Sequence, residues 1–159
     1  MSISQENYLK ALVKLEQKED TFVKTTCLSG SLGVKPGSVT EMLKRLSDAG
    51  LVHYIPYKGA SLTSTGKKMG IKVVRRHRLI ELFLYKIVGL SWEAVHDEAE
   101  NLEHAVSDLV INHMDQVLGF PKYDPHGDPI PQKNGDIPSV KDAVTLDSLE
   151  NDISPSKSS

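Results

Sequence analysis

The stretch TTCLSGSLGVKPGSVTEMLKRLSDAGLVHYIPYKGASLT, residues 25–63, contains the clearest structural signals in the first half of this chain. In its first part Leu28 and Leu32 stand one helical turn apart and Gly33 supplies a stop, which predicts a short helix and a tight turn. In its second part Pro36 suits the first position of a longer helix. The apolar stripe of that helix is Val39, Leu43 and Leu46. A short helix, a glycine turn and a longer helix predict a helix-turn-helix.

The remainder of the stretch predicts a β-hairpin. Two short β-prone runs, Leu51 to Tyr57 and Ala60 to Thr63, are joined at Lys58-Gly59. A helix-turn-helix followed by a hairpin is a winged helix. Upstream, residues 3–17 repeat apolar side chains at helical spacing, with Ser2 or Ser4 as a cap, and predict a first helix.

A winged helix presents the exposed side of its second helix to the major groove of double-stranded DNA. The residues expected on that side are Lys35, Pro36, Ser38, Thr40, Glu41, Lys44 and Arg45, and Lys58 on the wing is expected to meet phosphate. Arg45 can pair with phosphate or guanine, whereas Glu41 either accepts from a cytosine amine or faces outward as a bystander. The alternative is a winged helix that makes only protein contacts.

Charge divides the chain in the same way. Residues 1–78 carry 14 Lys+Arg and 6 Asp+Glu, a balance of +8, and residues 79–159 carry 5 and 15, a balance of −10, which together give the net charge of −2. A basic half is the electrostatic footprint of a nucleic-acid binder. It can also be a chance excess on a solvated surface.

Composition is that of an ordinary soluble protein. No apolar run reaches the roughly 18 residues of a membrane span, and the start MSISQENYLK has no secretory h-region. The single Cys27 cannot form an internal disulfide, in agreement with a reducing compartment. We therefore expect a cytoplasmic protein without a membrane partner.

The segment after the wing predicts one long helix from about Ser64 to Val88, with a threonine cap and Gly89 as its end. Its second half is apolar around most of its circumference, which predicts cover from a second subunit as well as from the chain itself. His77 and Glu81 stand at i, i+4 and therefore share a face.

A second helix is expected from Trp92, capped by Ser91, to about His113, with room for one break. It contains HDEAENLEH, residues 96–104, a concentration of carboxylates and imidazoles. The residues that fall on a single stripe are His96, Glu100, Glu103 and His104. Together with His77 and Glu81 they predict a site for a divalent first-row metal, because imidazole and carboxylate suit Mn, Fe, Co or Zn. The absence of cysteine among them favours manganese or ferrous iron. The alternative is that these residues bind no metal and belong to a solvated acidic helix.

Catalysis is the competing use of such a metal. The protease pattern H-E-x-x-H is absent, and its inverse would need histidine where Asn101 stands. The di-iron pattern Glu-x-x-His also fails, because Glu100 to His104 is one residue too long. We therefore expect no enzyme and no small-molecule substrate. Two rivals stay open: a metal-binding enzyme or storage protein with an incidental basic domain, and a winged-helix regulator that does not respond to metal.

The order of a winged helix, RRHRLIELFL, GLSWEAVHDEAENLEHAVSD and FPKYDPHGDPIP resembles the iron- and manganese-dependent repressors of the diphtheria toxin repressor family, nearer their manganese-responsive members. The likeness covers about residues 3–138. It implies a homodimer that binds a palindromic operator when metal is bound and represses metal-uptake genes. The implied fold is mostly α with a small β-wing: a winged helix over residues 1–72, an all-helical metal-binding and dimerisation domain over 73–138, and a linker or disordered tail over 139–159, without the SH3-like third domain of many relatives.

The resemblance also implies the ligands. One site draws on Glu100, Glu103 and His104 with Asn7 from the first helix, and a second on His77, Glu81 and His96. In streptococcal-type members a site instead combines the Glu81 position with the segment written here YDPHG, which makes Asp124 and His126 candidates. Glu100 stands where iron-responsive members carry cysteine, so the resemblance favours Mn(II), then Fe(II), with Zn(II) or Co(II) binding in vitro.

Two positions depart from the family pattern. Asn7 stands where manganese-responsive relatives have aspartate, and its neutral carbonyl is a weaker ligand. Lys10 stands where the binuclear manganese type has glutamate, which argues against that two-metal geometry. The sequence leaves the physiological metal, its stoichiometry, the operator and the target genes open.

Overall fold

A computed structural model describes residues 1–16 and 22–139 of this chain. The fold is mostly helical with one small sheet, as predicted, and it divides into two compact units, Met1–Val74 and Arg75–Ser159. The predicted tail lies outside the described residues from position 140 onward. The elements in chain order are α1 (Ile3–Glu16), α2 (Thr25–Leu32), α3 (Pro36–Asp48), β1 (Val52–Ile55), β2 (Gly59–Leu62), α4 (Ser64–Phe83), a π-helical turn (Leu84–Val88), α5 (Val95–Leu102) and α6 (Asp108–Val117).

The helices of the first unit begin and end where their sequence signals stand. Ser2, and not Ser4, caps α1: its hydroxyl accepts from the Gln5 backbone N–H, and the Gln5 side chain accepts from the Ser2 N–H, both at 3.1 Å. Gly33 ends α2 in the left-handed conformation, with φ of 66°. Pro36 opens α3. The helix-turn-helix is therefore confirmed.

The wing is an antiparallel hairpin in which β1 pairs with β2. Its connection differs from the prediction: the loop is Pro56–Lys58, and Gly59 already belongs to β2, opposite Ile55. The predicted turn begins two residues too late and ends one residue too late, because Tyr57, at φ of 66°, takes the left-handed conformation usually given to glycine. Val23 adds a third short edge by exchanging backbone hydrogen bonds with Ala60, at 2.8 and 2.9 Å.

Below the wing, the first unit has a continuous apolar core. The predicted stripe of α3 is completely buried, and it packs with apolar side chains of α1, α2 and the hairpin. The fully buried side chains of this core are Leu9, Leu12, Leu28, Val39, Leu43, Leu46 and Ala60. Burying such a stripe holds α3 rigidly and leaves its opposite side for solvent or a ligand.

Gly59→Ala is expected to destabilise the wing strongly. A Cβ at Gly59 would lie 2.1 Å from the Val23 carbonyl oxygen, a backbone atom that cannot turn aside, and the residue has φ of +118°. We expect the free energy of unfolding to fall by about 2 kcal/mol or more. Urea denaturation followed by circular dichroism measures it. Gly30→Ala in α2 is the control, because nothing lies within 4 Å there, and it should raise stability by about 0.5–1 kcal/mol. Equal effects of the two substitutions would contradict the close approach.

The long helix after the wing is confirmed, with a change in its last turn. Thr63 caps α4 by accepting from the Gly66 backbone N–H at 3.0 Å. The helix continues to Phe83, and residues 84–88 are then wound as a π-helix that ends at Gly89 with φ of 85°. Much of the apolar circumference near this end is covered within the second unit, where Leu79 and Ile80 are fully buried, whereas Ile87 and Val88 remain exposed.

The predicted helix from Trp92 to about His113 is wrong at its start and correct in having a break. Residues 92–94 form a turn, and α5 begins at Val95 without a side-chain cap from Ser91. The chain leaves α5 at Leu102 and re-enters a helix at Asp108. That restart has its own cap, since the Ser107 hydroxyl accepts from the Val110 backbone N–H at 3.3 Å. The four residues of the predicted stripe are thus divided: His96 and Glu100 lie on α5, and Glu103 and His104 lie in the turn that follows it.

Candidate metal centre

Glu81 is the centre of a buried cluster in the second unit. It lies on α4, one turn after His77, and both side chains are only 2% exposed. His77 Nε2 is 3.3 Å from Glu81 Oε1. A carboxylate this deep in an apolar surround needs partners that offset its desolvation, and His77 is the first of them.

His96 of α5 completes a first ligand set. Its Nδ1 lies 3.4 Å from Glu81 Oε2 and 3.1 Å from His77 Nε2. One ligand atom from each of His77, Glu81 and His96 falls within 4.8 Å of the others. His96 is about half exposed, so this set is open to solvent on one side. The structure therefore brings together the three residues that the sequence assigns to a second metal site.

A loop after α6 supplies a second set that shares Glu81. The ligand atoms of Glu81, Asp124 and His126 also converge within 4.8 Å, with His126 Nδ1 at 3.8 Å from Glu81 Oε2. Asp124 Oδ1 accepts from the backbone N–H groups of His126 and Asp128, at 2.9 and 2.8 Å, which fixes the carboxylate in the loop. Its other oxygen, Oδ2, is buried and accepts from no donor among the described residues.

That orphaned oxygen is the test of whether a metal ion fits. Once Asp124 is ionised, a buried acceptor without a donor costs roughly 1–3 kcal/mol, and a cation beside it removes the cost. Two carboxylates and an imidazole offer oxygen and nitrogen, which suit Mn(II) and Fe(II) and also accept Zn(II). The residues present therefore fit a divalent first-row ion.

The two acidic groups of this set have shifted pKa values in opposite directions. Burial raises the pKa of Glu81, but His77, the neighbouring Asp124 and the charge of His126 outweigh it and lower the pKa to about 2. Burial raises the pKa of Asp124 to about 6; the charges of Asp128 and Glu81 and a hydrogen bond from the protonated carboxyl to Glu81 add to the rise, and the hydrogen bond from the Asp128 backbone opposes it. One carboxyl is thus held charged and its neighbour is held protonated until near neutral pH.

This raised pKa predicts a pH dependence of stability that Asp124→Asn removes. The folded chain holds the Asp124 proton more tightly than the unfolded chain, whose pKa is near the ordinary 3.8, so unfolding releases a proton and rising pH favours unfolding. In chelator, the Asp124 contribution should be lost progressively from about pH 4 to about pH 6, by on the order of 3 kcal/mol. Urea denaturation of both proteins across that range measures it. Asp97→Asn, at an exposed position of α5, is the control and should leave the slope of unfolding free energy against pH as in the wild type. A wild-type slope in Asp124→Asn would contradict the assignment of this pH dependence to Asp124.

Glu100, Glu103 and His104 do not converge as a separate three-ligand set among the described residues. Glu100 Oε1 lies 3.2 Å from His96 Nε2, so it extends the first set outward. Glu103, almost fully buried in the turn after α5, lies 3.2 Å from His77 Nδ1 and 3.5 Å from His104 Nε2. The predicted site at these three residues stays a prediction, and so does Asn7, which lies on α1 in the first unit.

The residues predicted to face DNA lie on the first unit. All but one are exposed: Lys35, Pro36, Ser38, Glu41, Lys44, Arg45 and Lys58. Thr40 is half-buried, and its hydroxyl donates to the Pro36 carbonyl oxygen at 3.2 Å, within its own helix. Lys58, in the loop of the wing, has its Nζ 4.7 Å from the Phe22 ring centroid, a cation–π contact that holds the ammonium group in place.

One group beside the centre is missed by sequence reasoning. The Trp92 ring lies against His126, with ring centroids 4.3 Å apart, and Tyr85 contacts Trp92 edge to face at 5.7 Å. The only signal in the sequence is that two aromatic residues flank Gly89, and that spacing says nothing about a loop more than thirty positions away.

No helix in the described part of the chain has the length and apolar character needed to cross a lipid bilayer.

The structure has a winged helix in its first unit and a cluster of candidate metal ligands around Glu81 in its second. The family models described as iron dependent repressor, N-terminal DNA binding domain, and iron dependent repressor, metal binding and dimerisation domain, match residues 1–60 and 63–132. The HTH-type transcriptional regulator MntR of Oceanobacillus iheyensis is 33% identical over 121 residues, which are 76% of this chain and 81% of that protein. The chain belongs to the iron-dependent repressor family, as its sequence motifs predict.

Other relatives extend beyond the matched region. The iron-dependent repressor IdeR of Mycobacterium leprae is 34% identical over 126 residues, which are 79% of this chain and 54% of that protein. Among solved structures, a manganese-dependent transcriptional repressor in complex with manganese has a TM-score of 0.79 and 41% identity, covering 85% of this chain and 62% of that one. ScaR with bound Zn²⁺ has a TM-score of 0.72 and 39% identity, covering 86% and 63%. The chain thus spans a little over half of IdeR and under two thirds of these solved chains.

Proposed function

We propose that this chain is a metal-dependent transcriptional repressor of the cytoplasm, which binds a palindromic operator as a homodimer when Mn(II) or Fe(II) is bound and so controls metal-uptake genes. The observation that carries the proposal is the buried cluster around Glu81, in which Asp124 Oδ2 accepts from no donor in the part of the chain that the structure describes. A chain with a basic winged helix and a cation site of this kind has the two parts that a metal-responsive regulator needs.

Manganese is the proposed ion, and the donor atoms support it. The two converged sets contain imidazole nitrogen and carboxylate oxygen without sulfur, and Cys27 lies in the first unit on α2. Ligands of this hardness suit Mn(II) and Fe(II), with Zn(II) and Co(II) able to bind in vitro. Similar proteins include one named for manganese and one named for iron. The ion bound in the cell therefore also depends on how much of each metal the cell supplies.

A bound dication would supply a charge that draws these ligands together. Glu81 would hold it from α4, and His77 or His96 would complete one set while Asp124 and His126 complete the other. Glu103 keeps the His77 ring oriented through Nδ1, 3.2 Å away, so that Nε2 faces Glu81. The buried surround excludes water from Glu81, which strengthens each of these interactions.

The exposed side of α3 supports DNA as the partner. Its basic side chains stand free of the apolar core, and Pro36 starts the helix with its first turn open to solvent. Backbone N–H groups at such a helix start attract phosphate. Lys44 and Arg45 lie farther along the same helix, where they can reach phosphate or base edges.

Exposed apolar side chains on the second unit support a homodimer. They occur on the π-helical turn, on α6 and just after α6, and a monomer rarely leaves so many large apolar groups in water. The side chains are Tyr85, Ile87, Val88, Leu109, Val110, Val117 and Phe120. We propose that this surface pairs with its own copy across a two-fold axis, which would place two winged helices on a palindromic operator.

Fluorescence anisotropy on DNA tests the function directly. The labelled DNA is taken from upstream of the chain's own gene and of neighbouring transporter genes, and the protein is titrated with Mn(II), with Fe(II) or with chelator. The proposal expects tightening by metal, about 5- to 150-fold for coupling of ordinary size, and release by chelator. Equal binding under all three conditions would leave a winged-helix regulator that ignores metal. Substrate turnover with no DNA affinity would favour the enzyme or storage alternative.

A further inference from the structure

Three aromatic rings form a stack that ends on a ligand of the second set. Tyr85 lies in the π-helical turn, Trp92 in the turn before α5, and His126 in the loop after α6. The Tyr85 and Trp92 rings meet at 80° with centroids 5.7 Å apart, and the Trp92 and His126 rings meet at 56° with centroids 4.3 Å apart. Both distances are those of favourable aromatic contacts.

The His126 side chain is otherwise weakly held. Its backbone N–H donates to Asp124 Oδ1 at 2.9 Å, but its imidazole Nδ1 stands 3.8 Å from Glu81 Oε2 and the side chain is about one third exposed. A side chain in that situation rotates about χ1 and χ2, and fixing it in a complex costs about 0.5–1.5 kcal/mol. The Trp92 ring lies against the His126 ring at a tilt of 56°, while His126 Nδ1 lies on the Glu81 side at 3.8 Å from Oε2.

We propose that Trp92 is the positioning residue of His126: the Tyr85–Trp92 pair holds the imidazole in the orientation that a divalent cation at Glu81, Asp124 and His126 requires. The inference rests on the proposed function of this centre. It assigns a task to a tryptophan that is 38% exposed and therefore contributes less than a buried one to the core. It also makes Trp92, the single tryptophan of the chain, a fluorescent reporter beside the site.

Equilibrium binding of Mn(II), with free ion measured by electron paramagnetic resonance, tests the inference in the full chain. Trp92→Ala should weaken Mn(II) binding about tenfold, the low end for loss of a residue that orients a ligand, while Trp92→Phe should stay within about threefold of wild type. Tyr57→Ala is the control, because Tyr57 is a fully exposed aromatic side chain of the wing, in the first unit rather than in the unit that holds the metal ligands. If Trp92→Ala folds poorly, Tyr85→Ala replaces it and should cause a smaller loss of Mn(II) affinity.

A double-mutant cycle separates positioning from a general structural effect. In a His126→Ala background the Trp92→Ala substitution should have no further effect on Mn(II) affinity, because there is no ring left to orient. Trp92 emission should change on adding diamagnetic Zn(II) to wild type and should not change in His126→Ala. An undiminished affinity in Trp92→Ala, or a loss that persists in the His126→Ala background, overturns the inference alone. Failure of the unsubstituted chain to bind Mn(II) overturns the proposed function as well.

Discussion

Glu81→Gln is expected to lower Mn(II) affinity by about 100-fold or more and to abolish the response of DNA binding to metal. The substitution keeps the shape of the side chain and removes the one carboxylate that both converged sets share. Outer-shell changes alone cost about 10- to 100-fold, and loss of a charged ligand should cost more. Isothermal titration calorimetry measures the affinity, and anisotropy on operator DNA measures the response.

Glu98→Gln is the matched control for this prediction. Glu98 lies exposed on α5, close in sequence to His96, and the change in formal charge is the same. Wild-type Mn(II) affinity and wild-type response are expected from it. Residual DNA binding by Glu81→Gln should remain weak and sensitive to salt, because the basic helix is untouched. If Glu81→Gln tightened on DNA with Mn(II) as the wild type does, the cluster around Glu81 would not be the regulatory centre.

The double substitution Lys44→Ala with Arg45→Ala is expected to lower operator affinity by about 100-fold while leaving Mn(II) affinity unchanged. Both side chains are exposed on α3, and each contact to phosphate or a base edge contributes about 1–3 kcal/mol. The slope of log affinity against log salt should fall by roughly 2, since two phosphate-directed cations are removed. Anisotropy titrations at several salt concentrations give both quantities.

Lys67→Ala with Lys68→Ala removes the same charge from the same unit and serves as the control. These two lysines are exposed at the start of α4, outside the surface predicted to enter the groove. We expect this double variant to lose only a little DNA affinity, and to lose it equally for all DNA sequences. Equal losses from the two double variants would mean that net charge, rather than the exposed side of α3, governs DNA affinity.

Local sequence signals predict the first unit well, because each boundary has its own chemical cause. Gly33 and Pro36 mark the turn between α2 and α3 without reference to the rest of the chain. The wing loop is predicted less accurately, since Tyr57 adopts a left-handed conformation that residue preference assigns to the neighbouring glycine. The π-helical turn has no signature in the pattern of apolar residues, so the sequence predicts a uniform helix there.

The centre is predictable only as far as its ligands lie on one helix or fit a known motif. His77 and Glu81 follow from helical spacing, and His96 follows from its place in HDEAENLEH. Asp124 and His126 come from the family resemblance, because a loop carries no periodicity from which their approach to Glu81 could be computed. Neither helical spacing nor the family motif predicts the role of Trp92, since its contact with His126 depends on how two loops meet.

The π-helical turn at residues 84–88 acts as a one-residue insertion that the helix absorbs. An α-helix closes each turn with bonds to the fourth residue back, and a π-turn uses the fifth, so one extra residue fits without breaking the backbone ladder. The extra residue rotates everything downstream by about 100° about the helix axis. Deleting Lys86 would restore α-helical winding and turn the segment that leads to Trp92 away from its present direction. The spacing of the chain across this turn is therefore as much a determinant of the metal loop as the identity of any ligand.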